Sequence, residues 1–310
     1  MARQPSIPGS RSYVASGLPH DRVERWEAYN AEALIAVRCA TPDGPFRATE
    51  TNLDLPRLHI ATVTGSPHRV TRSADLVERC PTDSIAVYLG LGADAAFTSG
   101  GRRRMVRRGE LLICNADQPF GREFRYGVGE FAIKVPRSEL AGTLGAEVPG
   151  ALRLLSLRES PAARALARAV AGATRSGAAV PIDELAALEL VGVLAAGDRT
   201  PPEVQHRVAA RAYIEEHLTD QDLSARHVAE AAGISDRQLS RIFAAVELSV
   251  PQFIQGRRLE LARTLLAAGR AGSTAQAARS AGFASMPHFS RAFQRRFGVT
   301  AGAVRRGADD

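Results

Sequence analysis

The chain has 310 residues and a mass of 33.1 kDa; 45% of it is hydrophobic, 24% is charged, and its net charge is +7. That is the composition of a soluble globular protein with room for about two domains, and no apolar run is long enough to span a bilayer. Cys39, Cys80 and Cys114 are odd in number, far apart and without a C-x-x-C pair, which argues against both a disulfide framework and a zinc finger.

Those cysteines are expected as small buried hydrophobes. The start, MARQPSIPGSRSY, is polar and lacks the apolar core of a signal peptide, so a cytoplasmic protein without membrane contact is expected, its first fifteen or so residues disordered. Pro19 to Leu34 (PHDRVERWEAYNAEAL) reads as an amphipathic helix. From about Leu53 the period changes. The runs LPRLHIATVTG, HRVTRS, SIAVYLGLG, AFTSGG, RMVRRGELLICNADQPFG and GEFAIKV are β-branched and aromatic, separated by Gly, Pro, Asp and Asn, as in an antiparallel sheet or barrel.

After Val135 helical patterns return, PAARALARAVAGA from Pro161 and PIDELAALELVGVLAAG from Pro181, each with Pro in its first turn. Ile182, Leu185, Leu188, Val191 and Leu194 form an apolar stripe that an intrachain core or a dimer partner would cover. DRTPPEVQ, Asp198 to Gln205, reads as a linker. The expected division is therefore residues 1–197, a linker at 198–206, and residues 207–310.

The last third repeats itself. Ser235/Ser285, Leu239/Phe289, Ser240/Ser290, Arg241/Arg291 and Phe243/Phe293 share one offset, so both copies read S-x-x-x-[LF]-S-R-x-F. Each follows a short Ala-rich helix that ends in glycine, LSARHVAEAAG and STAQAARSAG. This is a helix-turn-helix written twice, with capping-box patterns at Ser235/Gln238 and Ser273/Gln276. Phe289, Phe293 and Phe297 stand four apart and share one helical face.

Charge follows the repeat. Gly233 to Arg306 holds twelve Arg against Asp236, Glu247 and Glu260, while the remainder holds 28 basic and 30 acidic residues. Cations gathered on the repeat favour a polyanion, because each one placed at a phosphate releases condensed counterions. Lys134 is the single lysine beside 39 arginines, a bias of the kind a GC-rich genome produces.

With the duplication established, Val208 to Arg306 resembles the DNA-binding domain of AraC/XylS-family transcription regulators. The match is carried by LSARHVAEAAGISDRQLSRIF, by VPQFIQGRRLELARTLL from Val250 and by AGFASMPHFSRAFQRRFGVT. Departures are Leu248 at a usual Gly, Thr274 and Ala277 at usual Ile or Val, Ala301 at a usual Pro and Val304 at a usual aromatic. The small Thr274 and Ala277 are expected to loosen the second helix-turn-helix by roughly 1 kcal/mol per lost group. The β-rich part is similar to the cupin-like sensor of one branch of this family, through TGSPHRVTRS, G-x-R-R-x-x-x-x-G-E-L-L-I and FAIKVPRSEL. The resemblance implies an α+β protein: an N-terminal cupin-like barrel with dimerising helices, then an all-α domain of two helix-turn-helix motifs joined by a linker helix.

Leu239 and Phe243 face the core of the first recognition helix, leaving Asp236, Arg237, Ser240 and Arg241 outward. The resemblance puts Arg237, Ser240 and Arg241 in the DNA groove; Met286, Pro287, His288, Ser290 and Arg291 occupy the matching face of the second helix, with Arg295 and Arg296 assigned to phosphates. A small barrel encloses one ligand, and His59, Tyr88, Phe97, Phe120 and Phe131 are the candidate lining for a small organic effector, aromatic by the character of those side chains. No metal, cofactor or catalytic residue is expected: the H-x-H with following Glu of metal-dependent cupins is absent, and His59 and His68 are nine apart. The resemblance implies a nucleoid-associated homodimer that binds promoter or operator DNA, responds to effector and activates RNA polymerase at a nearby catabolic or stress operon. Alternatives are an architectural DNA-binding protein without ligand, a cupin-type enzyme fused to a reading head, and an alkyl-transfer repair protein, for which the cysteines lack a zinc-type cluster.

Overall fold

The computed structural model describes residues 10–15, 21–41, 45–145, 147, 148, 150, 152–174, 182–244 and 249–307. Pro181 and Leu248 lie outside them. The chain divides into two compact units, one of Pro8–Thr174 with Asp183–Thr200 and one built on Pro201–Asp310.

The first unit runs β1 (Ser10–Val14), α1 (Asp21–Ala33), β2 (Arg38–Ala40), β3 (Ala48–Asp54), β4 (His59–Gly65), β5 (His68–Arg72), α2 (Ala74–Arg79), β6 (Ser84–Gly90), β7 (Ala95–Ser99), β8 (Arg102–Val106), β9 (Glu110–Asn115), β10 (Phe120–Phe124) and β11 (Val128–Pro136). It ends with α3 (Arg137–Leu144), β12 (Arg153–Ser156), α4 (Pro161–Ala173) and α5 (Glu184–Ala196). Two antiparallel sheets, ordered β1-β3-β4-β11-β6-β9-β12 and β2-β5-β10-β7-β8, enclose one core. Alternation fixes which side chains enter it: Ala61 and Val63 of β4, Tyr88 of β6 and Ala132 of β11 meet Val70 of β5, Phe97 of β7 and Phe120 and Phe124 of β10. On the other face of the larger sheet Ile60, Val87, Leu111, Ile113 and Val135 are buried too. α3 packs on β11, and α5 packs on α3 and α4.

Several expectations are corrected here. Ser10–Val14 is not disordered: it pairs with β3, Tyr13 opposite Glu50. Strand structure starts before Leu53, because the polar-looking ATETNLD alternates inward Glu50 and Asn52 with outward threonines. Cys80 is exposed, while burial pushes the thiols of half-buried Cys39 and buried Cys114 up to about 12. The apolar stripe, left open between an intrachain core and a dimer partner, has Leu188, Val191 and Leu194 buried within the unit, as the first alternative has it.

The second unit holds α6 (Pro202–Glu216), α7 (Ala225–Ala231), α8 (Asp236–Ala244), α9 (Val250–Ala267), α10 (Thr274–Ser280), α11 (Met286–Phe297) and α12 (Ala301–Arg306). The expected linker 198–206 gives way at Pro202, which starts α6 where a missing N–H costs nothing. α6 buries Ala210 and Ile214 in one core with Leu239 and Phe243 of α8.

Candidate nucleic-acid interface and sensor cavity

Two lobes share α9. Val250 and Ile254 from its first half join Leu239 and Phe243 of α8 in one core; Leu259, Ala262 and Leu266 from its second half join Phe289 and Phe293 of α11 in the other. Eighteen residues make α9 about 27 Å long. Its start is secured by a full capping box, Ser249 with Gln252, which the sequence reading missed. Ser235 and Gln238 make both bonds of their box. Ser273 caps Gln276 N–H, but the Gln276 side chain accepts from Gly272 instead. Gly282, at φ +86°, turns α10 into the α11 segment so closely that a Cβ would stand 2.8 Å from the Leu218 carbonyl oxygen.

The aromatic stripe is internal: Phe289 and Phe293 are fully buried, with ring centroids 5.4 Å apart, and Phe293 lies 4.7 Å from half-buried Phe297. The opposite faces are polar. Arg237, Ser240 and Arg241 of α8 are exposed, as are Pro287, His288, Ser290, Arg291, Arg295 and Arg296 of α11. Their surroundings differ. Arg237, Arg291 and Arg295 have no side-chain partner among the described residues, whereas Arg241 meets Glu203 at 3.3 Å and Arg296 meets Glu260 of α9 at 2.7 Å. Arg296 is thus tied to α9. Met286 is half-buried against the second core, and the Gln255 amide donates to His288 Nε2 at 2.9 Å.

In the first unit a cavity of about 50 Å³ lies inside the sheets, walled by Trp26, Val63, Tyr88, Phe120, Phe124 and Val128 among others. Phe97 stacks on Phe120 behind this wall, at 5.6 Å. Phe131 does not belong to it: Val128, Glu130 and Ala132 point inward along β11, so Phe131 faces the other way. His59 is outside the lining as well, its Nε2 2.6 Å from Asn52 Oδ1. Burial lowers the pKa of His59 and of His68, and His68 does line the cavity.

The cavity's polar centre was not foreseen. Arg122 and Glu130 form a two-pronged ion pair at 2.5 Å on each arm, with the guanidinium carbon 4.0 Å above the Tyr88 ring and 4.8 Å from that of Phe124. Arg122 Nε is buried with no partner. On the same row of the larger sheet, across Val63 of β4 from Glu130, Glu50 is wholly inaccessible; Asn52 Nδ2 donates to its Oε1 at 2.8 Å and its Oε2 is unpartnered. Desolvation raises its carboxyl to about 7, opposed by the Asn52 bond and reinforced by Glu130. A signal existed: in FGREF the two phenylalanines face inward, so Arg122 shares their parity.

Known families decide what such a pair of units is. The AraC-binding-like domain family matches residues 27–219, and a helix-turn-helix domain family matches residues 228–307. The chain belongs to the AraC family. AraC-family relatives include the transcriptional activator NphR of Rhodococcus sp, 25% identical over 261 residues that cover 80% of this chain and 78% of NphR. The transcriptional activator RhrA of Rhizobium meliloti (strain 1021) is 36% identical over 123 residues, 38% of this chain and 39% of RhrA. The crystal structure of the AraC-like transcriptional activator CuxR aligns over 81% of this chain and 93% of that one, at 21% identity and a TM-score of 0.48.

As an AraC-family member the chain is a DNA-binding transcriptional regulator of α+β architecture, its sheet-rich unit followed by a helical reading unit. Among the described residues no helix is long and apolar enough to cross a membrane, and no three His, Cys, Asp or Glu side chains gather as metal ligands.

Proposed function

We propose that the two lobes read two adjacent major-groove segments on one side of promoter or operator DNA, with α8 and α11 as the reading helices and α9 as the spacer. The sharing of α9 between both cores carries this reading. Neighbouring groove segments are roughly 34 Å apart, and a helix of about 27 Å with a recognition helix packed on each half suits that period. Arg237, Ser240 and Arg241 face one segment; Met286, Pro287, His288, Ser290 and Arg291 face the next, the two unpaired arginines supplying fork contacts to guanine and Met286 an apolar one to thymine. Arg295 and Arg296 contact phosphates, Arg296 from its anchored position on Glu260.

The protein is an effector-responsive, cytoplasmic and nucleoid-associated homodimer without enzymatic activity. It activates transcription by engaging RNA polymerase; NphR and RhrA, both transcriptional activators, support that sign. Trp26, Tyr88, Phe120 and Phe124 suit a small organic molecule with a ring, and the orphan Arg122 N–H suits one acceptor atom on it. The void is far smaller than the roughly 150 Å³ that admits benzene, so the effector enters by displacing lining side chains. Inserting half a helical turn, about 5 base pairs, between the two half-elements of a bound site tests the spacer. Affinity is expected to fall to that of one half-element. Unchanged affinity would refute rigid spacing.

A further inference from the structure

β8 is the outermost strand of its sheet and reads RRRMV, continued by RR: Arg102, Arg103, Arg104, Arg107 and Arg108 are five cations in seven residues, all exposed. Gly100 and Gly101, at φ +56° and +73°, form the two-residue turn that leads into it from β7. Few acids answer these cations. Glu123 is shared by Arg69, Arg103 and Arg125, Glu110 stands 3.8 Å from Arg107, and Asp94 accepts from the Arg108 backbone N–H. The guanidinium groups of Arg102, Arg104 and Arg108 have no partner among the described residues.

Guarding a free edge against strand pairing needs only scattered charge of either sign. The chain's preference for Arg over Lys explains which cation is used and not why five gather. Residues 1–200 hold 25 basic and 22 acidic side chains, so this one strand supplies the whole positive excess of that part. Met105 between them is 45% exposed, one apolar side chain among five cations, which is not the apolar centre of a protein-docking surface.

We infer that the β8 edge is a second, sequence-independent DNA-docking surface, which takes the phosphate backbone flanking the site read by α8 and α11. Side chains on one face of a strand repeat every ~6.7 Å, about two 3.4 Å steps along one DNA strand, so Arg102 and Arg104 match a phosphate row. An acidic protein surface offers the same charge, but DNA is favoured because the reading unit of the same chain already holds a duplex, which raises the local phosphate concentration at β8. The inference rests on DNA binding by residues 201–310 and adds affinity without base preference.

The test uses full-length protein and a duplex carrying the bound site with long flanks. Arg102→Thr/Arg104→Thr/Arg108→Thr is compared with wild type and with Arg25→Thr/Arg47→Thr/Arg79→Thr, which removes equal charge from exposed sites elsewhere in the unit. The plot of log affinity against log salt is expected to become shallower by about 2 to 3 in the β8 variant alone, at unchanged base preference. An unchanged slope, or equal shallowing in the charge-matched variant, overturns the inference; the reading heads still stand if site-specific binding survives in all three. If the triple variant loses its fluorescence melt from Trp26, Arg104→Thr alone must lower the slope by about 1, and no change there also overturns it.

Discussion

Glu50→Gln is expected to make the sensor unit less sensitive to alkali. Glu50 has no exposed surface, one hydrogen bond from Asn52 and an unpartnered Oε2; Glu130 pushes its pKa further up, and Tyr13 stands opposite it in the sheet. Its carboxyl titrates at about 7 instead of 4.5. Between those values the folded state holds a proton that the unfolded chain has lost, so stability falls as pH rises from about 4.5 and levels off above about 7. The full shift corresponds to a penalty of about 3 kcal/mol above pH 7, of which less than about 1 is present at pH 5. Gln cannot ionise. Its advantage over wild type is therefore expected to grow by about 2 kcal/mol between about pH 5 and pH 8. Trp26, the single tryptophan, is 2% exposed in the same core, so its fluorescence in urea titrations reports on this unit. A stability difference that stays constant across that range would refute the assignment of Glu50 as a carboxyl kept neutral by burial.

Three further outcomes are expected. Phe293→Ala removes a fully buried ring between Phe289 and Phe297 and should cost the reading unit about 3 to 5 kcal/mol in circular-dichroism melts, while the Trp26 transition stays put. Arg291→Ala, which breaks no side-chain bond among the described residues, should relax base preference at one position by about 1 to 3 kcal/mol in competition binding, whereas Arg296→Ala should weaken all sequences alike. Gln255→Ala should loosen His288 and blur preference within the second half-element only; equal loss in both would contradict its positioning role.

The reading unit was legible because its two motifs repeat at one offset, and a repeated Ser-cap, apolar and Arg pattern fixes helix, turn and face together. α6 was not legible: its Pro201–Pro202 pair reads as linker until Val204 and Val208 are seen buried. In the sensor, periodicity found the apolar strands and passed over ATETNLD and FGREF, whose inward positions hold Glu50, Asn52 and Arg122. Phe131 misled for the same reason, since an aromatic side chain announces burial but only strand parity tells which face it is buried on. The Arg122–Glu130 pair joins the two sheets, a juxtaposition that depends on how they face each other and not on any spacing in the chain.

The double reading head is tested most directly by selecting bound genomic fragments with wild-type protein, Arg237→Ala and Arg291→Ala. Two half-elements about one helical turn apart, each weakened by one of the two substitutions, are the predicted result. Indiscriminate, salt-sensitive binding that neither substitution alters would contradict it.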